Sequence, residues 1–269
     1  MFHRSRYRLV TVVERLRAHG HRLFKSRSRV PFVLFPLLIL ALPESSRVAA
    51  RIGHSGNLAV RWGSLSIAFA GLLIRCAAVA YAPDGTSSRD TRALRAPSLN
   101  TTGLYSIVRH PLYLGAGLMW VGIAMSLGVW WVVAIVALTY ALYVERLAIV
   151  EEAFLAEHFP GEFPRWAART RAFLPRPSHW MPPAGRLQFK RLSSEHNGLL
   201  TIGVTVPMLQ YLASLFGERR SWHDWSATHD GLVMLLKITV AVSLLCIVAR
   251  RLPRSAPPHQ DKAQAATGS

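Results

Sequence analysis

Long apolar runs alternate along this chain with short polar stretches rich in arginine, the pattern of a helical membrane protein. The runs are Val30–Leu42, Leu58–Ala82, Leu112–Leu127, Val129–Val150, Leu199–Phe216 and Gly231–Ala249. A helix that crosses a bilayer needs about 20 predominantly apolar residues, with a range of roughly 17–25. The first and third runs fall short of that. The first reads either as a span or as a re-entrant or interfacial helix. The third can borrow length from Arg109-His110-Pro111. The pattern predicts an all-α, polytopic membrane protein with about six transmembrane helices. Its centre is a tight helical hairpin at residues 112–150, turning at Gly128, where no Cβ obstructs the chain. Trp130 and Trp131 follow the turn, where indoles favour the membrane interface. Gly115, Ala116, Gly117, Gly122 and Ala124 give the first arm a small-residue surface suited to close helix packing in lipid.

Composition agrees. Of 269 residues, 51% are hydrophobic and 17% charged, the latter below the roughly 25% of ordinary soluble domains. The net charge of +18 would suggest nucleic acid in a soluble chain. Here the arginines sit at the ends of apolar runs, so anionic lipid headgroups are the expected partner and no nucleic acid is expected. Residues 1–29 carry nine basic side chains against Glu14. By the positive-inside rule that segment is cytoplasmic, and six spans return the C-terminus to the same side. The loops Asp84–His110 and Glu151–Gly198 then also face the cytoplasm, and Gly217–Asp230 faces the other side. Within Tyr7–Arg17, Leu9, Val12, Val13 and Leu16 recur at helical spacing between arginines, as in a helix lying on a membrane surface. No secretory signal is expected, because the first apolar run starts only near Val30. Cys76 and Cys246 lie in apolar spans without CxxC partners and read as free buried thiols.

Composition shifts divide the chain into a basic segment (1–29), a membrane core (30–177), a linker with two further helices (178–252) and a polar tail expected to be disordered (253–269). The boundary near 177 falls in a stretch holding Pro175, Pro177, Pro182 and Pro183.

The candidate chemistry lies at the ends of the hairpin. Pro111 suits the first turn of a helix. Arg109 and His110 then stand at its N-terminus, beside unsatisfied backbone N–H groups that favour an anionic group. Tyr113 adds a ring and a hydroxyl within one turn, and Tyr105 lies nearby in sequence. At the far end of the second arm come Glu151 and Glu152. Adjacent helical residues point about 100° apart, so the two need not face one target. A carboxylate there can accept from hydroxyls or an ammonium group. Arg146 and Glu145 end the apolar run and can snorkel to the interface, as can Arg75 within Leu58–Ala82. His196, His223 and His229 are dispersed, and no metal site is expected.

The stretch Thr102-Gly-Leu-Tyr-Ser-Ile-Val-Arg-His-Pro-Leu-Tyr-Leu-Gly115, with Gly122, Tyr140-Ala-Leu-Tyr-Val-Glu-Arg146 and Glu151-Glu-Ala-Phe-Leu-Ala-Glu-His-Phe-Pro-Gly161, resembles the isoprenylcysteine carboxyl methyltransferase and phospholipid methyltransferase family of integral membrane enzymes. The resemblance runs from about Ala96 to Pro177. It implies an S-adenosylmethionine site made by Arg109, His110, Pro111, Tyr113, Gly115, Glu151 and Glu152. It further implies catalytic roles for Arg146, on the methyl-acceptor side, and for Glu151. The implied acceptor is lipidic or prenylated, with carboxyl O-methylation of an isoprenylcysteine-like group as the first choice. The chain departs from the family after the acidic pair, where Phe163 and Trp166 stand in place of tyrosines. Other readings stay open on the residues alone: N-methylation of a phospholipid headgroup, S-methylation of a small thiol, a nicotinamide-dependent membrane reductase, or a non-catalytic lipid-binding or transport protein.

Overall fold

The computed structural model describes residues 12–26, 33–82 and 97–251. The polar tail 253–269, the first eleven residues and Arg89, Arg92 and Arg95 lie outside the described residues. In chain order the helices are α1 (Val12–Ser26), α2 (Phe35–Leu40), α3 (Leu42–Ala80), α4 (Leu104–Ile107), α5 (Pro111–Met125), α6 (Trp130–His158), α7 (Phe163–Arg169), α8 (Phe189–Leu192), α9 (His196–Glu218), α10 (Trp222–Thr228) and α11 (Asp230–Arg251). The described residues form no strand beyond an isolated antiparallel bridge between Gly103 and Met181.

Among the described residues, four helices are long and apolar enough to cross a membrane: α3, α6, α9 with the turn before it, and α11. The protein is thus an all-α, polytopic, integral membrane protein. Helix α5 spans only Pro111–Met125 and is shorter than a full crossing. The first apolar run does not form one helix. It breaks at Ala41 between α2 and α3, each of which has a proline in its first turn.

Helix α3 is interrupted at Gly53 (φ 67°, ψ −173°), a conformation L side chains rarely adopt. The Asn57 side-chain amide donates to Ala49 O at 2.9 Å. Residues eight apart in a straight helix would be about 12 Å apart along its axis, so the chain folds back at Gly53. Val48 and Val60, on either side of the reversal, both approach Gly128 in the α5–α6 turn. The expected hairpin therefore forms, and its tip packs into this fold-back. Trp131 donates to Glu44 Oε2 at 2.8 Å at the same end of the molecule.

Small residues set the helix contacts, as expected where lipid removes the hydrophobic drive between helices. A Cβ on Gly122 would lie 2.6 Å from Ala68 N and 2.7 Å from Ser64 O, and one on Gly115 would lie 2.5 Å from Gly71 O. Backbones of α3 and α5 therefore touch along that seam. Around it Leu65, Ala68, Ile123, Ala124, Val132, Val136, Ile202 and Val206 form a buried apolar core. Helix α9 lies against α3 and carries α11 on its other side. At the α9–α11 contact a Cβ on Gly203 would lie 2.7 Å from Thr239 Cβ, and Thr239 is fully buried. Gly203→Ala should therefore cost about 1–3 kcal/mol through overpacking, read as earlier thermal unfolding in detergent.

Candidate functional site

Two segments lie side by side at the end of the bundle away from Gly128. Gly103 N donates to Met181 O (3.0 Å), Arg176 N to Ile107 O (2.9 Å), Arg109 N to Arg171 O (2.8 Å) and His110 N to Ala172 O (3.1 Å). Met181 N donates to Ser106 Oγ at 3.0 Å. The backbone entering α5 is thus held along its length by the segment 171–181. His110 caps the helix and Pro111 occupies its first turn, where the missing N–H costs no hydrogen bond.

His110 is buried, with 6% of its surface exposed, and its ring sits between two carboxylates. Nε2 lies 2.9 Å from Glu152 Oε1, and Nδ1 lies 3.7 Å from Glu151 Oε2. An ionised carboxylate only accepts hydrogen bonds, so against one Nε2 carries the proton. Adjacent residues of α6 therefore face one target after all, because a planar ring presents a nitrogen to each. Glu152 is also 3.0 Å from Arg109 Nε. That contact is an ion pair outside hydrogen-bond geometry, and Nε is buried without a hydrogen-bond partner. Arg109 Nη1 donates to Ala167 O at 2.9 Å. Arg109, Glu151 and Glu152 together carry two negative charges against one permanent positive charge. At 3.7 Å Glu151 is too far for a hydrogen bond to His110, so it is the less committed carboxylate.

Aromatic rings surround the imidazole. Tyr113 stacks on it and Phe173 tilts against it, each with ring centroids 5.5 Å away. The Tyr140 hydroxyl donates to Tyr113 O at 2.8 Å. Trp166 Nε1 donates to Tyr105 O at 3.0 Å, so the indole retains a hydrogen bond at a position where tyrosine was expected. The Tyr105 hydroxyl is pushed well above its ordinary pKa, first by burial and then by the charge of Glu151, with Arg75 opposing. It stays protonated near neutrality and is available as a donor.

The structure thus gathers Arg109, His110, Pro111, Tyr113, Glu151 and Glu152 at one place. It does not bring Arg146 to them. That side chain pairs with Glu145 and donates to Leu142 O at 3.3 Å, while its backbone carbonyl abuts Gly20 of α1. Gly115 faces Gly71 and Arg75 in the α3–α5 seam. Phe173 and the backbone of 167–172 were not legible as site elements in the sequence. They lie in a Pro- and Arg-rich stretch with no periodic signal, and only the paired backbone brings them to His110. Among the described residues no group of three or more His, Cys, Asp or Glu side chains is placed to hold a metal ion.

Residues 58–162 match the family described as phospholipid methyltransferase. The family resemblance carried by the His-Pro and Glu-Glu motifs is therefore borne out for that segment, and it extends back to Leu58 within α3. Over 86 residues the chain is 42% identical to the cobalt-zinc-cadmium resistance protein CzcN of Cupriavidus metallidurans, covering 29% of this chain and 36% of that protein. Over 89 residues it is 38% identical to the nickel-cobalt-cadmium resistance protein NccN of Alcaligenes xylosoxydans xylosoxydans, covering 30% of this chain and 38% of that protein. The chain thus spans little more than a third of the length of the curated relatives it matches. No solved structure matches.

Proposed function

We propose that this chain is an S-adenosylmethionine-dependent methyltransferase acting on a lipid-like acceptor at the membrane, with carboxyl O-methylation of an isoprenylcysteine-like group as its specific form. The imidazole held between Glu151 and Glu152 beside Arg109 carries this reading. The donor set fits the cofactor's chemistry. A sulfonium and an ammonium suit two carboxylates, a carboxylate suits Arg109, ribose hydroxyls suit Glu151, and a purine suits the Tyr113 and Phe173 rings. When bound, S-adenosylmethionine would supply a methyl group already activated on a sulfonium, so that transfer to an acceptor oxygen would leave a neutral thioether sulfur.

The protein's own work is then positional. An acceptor carboxylate is ionised at neutral pH and needs no general base. Holding nucleophile, methyl carbon and sulfur in line can supply roughly 7–11 kcal/mol in favourable cases. Glu152 and Arg109 fix the His110 ring, the ring orders Tyr113, and Glu151 is left to meet the ligand. Arg146, which pairs with Glu145 away from the His110 cluster, is assigned in this reading to the acceptor's approach rather than to the cofactor. The positive-inside count puts the site end, α1 and the end of α11 on the cytoplasmic side, and the lipid tail of the acceptor lies in the bilayer.

The test is calorimetric titration of detergent-purified full-length protein with S-adenosylmethionine, with NADPH as comparator. It is followed by methyl transfer to a farnesylated cysteine bearing a free carboxylate, to its methyl ester, and to phosphatidylethanolamine. Saturable S-adenosylmethionine binding and labelling of the free acid alone are the expected results. Labelling of phosphatidylethanolamine instead would move the acceptor to an amine headgroup, and binding of NADPH alone would sink the methyltransferase reading. The metal-resistance names of the two relatives describe those proteins, and they direct the acceptor search to cells grown with and without cobalt, zinc and cadmium.

A further inference from the structure

Beyond the segment shared with the methyltransferase family, one carboxylate reaches back to the site. Glu195 lies in the 3-10 turn Ser193–Glu195 before α9 and is buried, with 5% of its surface exposed. It accepts from Arg75 Nε at 2.8 Å and, through its other oxygen, from Arg75 Nη2 at 3.3 Å. That two-point geometry fixes the plane of the guanidinium. The third nitrogen, Nη1, donates to Leu112 O at 3.3 Å, in the first turn of α5. The Arg75 stem passes over Gly115, where an added Cβ would lie 2.7 Å from Arg75 Cγ. Arg75 therefore does not snorkel to water; it crosses from α3 to the turn that carries His110 and Tyr113.

The segment bearing Glu195 is itself anchored. Gln188 N donates to Ala80 O at 2.9 Å, and Arg191 bonds Ala82 O at the end of α3. Gly198 packs on Leu72 and Met119, where a Cβ would lie 2.8 Å from Leu72 Cδ1 and 3.2 Å from Met119 Cε. From the other side, Tyr140 holds Tyr113 O. The first turn of α5 is thus clamped between a strut from the C-terminal helices and a hydroxyl from α6.

We propose that Glu195 is a positioning residue for this site: by orienting Arg75 against Leu112 O it fixes the first turn of α5, and with it His110 and Tyr113. The purpose served rests on the methyl-transfer reading, whereas the positioning itself does not. It gives the two C-terminal helices a function, namely to supply the anchored carboxylate.

The test reads His110 directly. Carbethoxylation of its ring is followed by mass spectrometry in full-length wild type, Glu195→Gln, Glu195→Ala and Gly203→Ala, each held at the same interval below its own melting temperature. Exposed His223, at the opposite end of the bundle, serves as internal reference. Both Glu195 variants are expected to modify at His110 at least threefold faster than wild type, with His223 and the Gly203→Ala protein unchanged. If the alanine variant fails to fold, the near-isosteric Gln variant decides alone. Wild-type reactivity in the Glu195 variants, or equal acceleration in Gly203→Ala, overturns the proposal. Where wild type binds S-adenosylmethionine, Glu195→Gln should also weaken that binding about tenfold. Where wild type does not bind it, the methyltransferase reading fails while the His110 rates still decide this one.

Discussion

Glu152→Ala should weaken S-adenosylmethionine binding by about a hundredfold, equivalent to roughly 2.7 kcal/mol. Glu152 is the meeting point of the site. One of its oxygens takes the hydrogen bond of His110 at 2.9 Å and lies 3.0 Å from Arg109 Nε. Removing the carboxylate leaves a mostly buried guanidinium with only Ala167 O and frees the imidazole to turn. An unpaired buried polar group costs about 1–3 kcal/mol, and more when it is charged. Part of that cost falls on the fold and part on the binding-competent arrangement, so the melting temperature and the dissociation constant should both move. Glu152→Gln keeps an acceptor for His110 and removes only the charge, and a loss of about tenfold is expected. Glu151→Gln separates the two carboxylates: with no hydrogen bond to His110 to lose, it should weaken the ligand without lowering the melting temperature. Calorimetry and thermal unfolding on the same preparations check all three. Binding by Glu152→Ala within threefold of wild type would remove this residue from the site.

Gly122→Val is expected to be the most damaging single substitution in the membrane core. The added Cβ meets Ala68 N and Ser64 O at 2.6 and 2.7 Å, and both are backbone atoms that move only if α3 moves. A flexible side chain in that position could rotate away, but a helix backbone cannot. Overpacking typically costs about 1–3 kcal/mol and sometimes more. Valine adds a branched side chain where even one carbon does not fit, so the expected cost lies at or above the top of that range. Since α3 carries Arg75 and α5 carries His110, parting the seam should also disable ligand binding. The variant should elute as aggregate or lose its cooperative melt in detergent, with Gly122→Ala intermediate. A Gly122→Val protein that melts with wild type would show that the seam can open at little cost.

Much of the frame was legible because its signals are local. Apolar runs long enough to span, the Gly128 turn and Pro111 at a helix start each depend on a few neighbouring residues, and each stands where expected. The first apolar run differed because prolines at helix starts and the break at Ala41 cut it, and the fold-back at Gly53 lies just beyond it. At the site, the motif residues could be named from sequence, but their geometry could not. Helical spacing alone sets Glu151 and Glu152 about 100° apart, and only the placement of the His110 ring between them reconciles the two. Arg146 shows the opposite. It is close in sequence to the acidic pair, yet at about 100° per residue five and six helical steps leave it more than 100° around α6 from both carboxylates, where its side chain pairs with Glu145. Phe173 and Glu195 reach the site through contacts distant in sequence, which no pattern in a single chain reveals, and Trp166, named in sequence for its place among the aromatics, reaches Tyr105 O the same way.

The strut also has a consequence for how the protein is made. Glu195 is synthesised 120 residues after the arginine it neutralises. At about 5–20 residues per second, Arg75 waits roughly 6–24 s for its partner while the ribosome finishes the intervening chain. Arg75 lies near the Ala80 end of α3, so until Glu195 arrives its long side chain can reach the membrane interface. The first turn of α5 therefore gains this brace only after the segment before α9 has been made, so the site is expected to set late, as one of the last parts of the fold to become fixed.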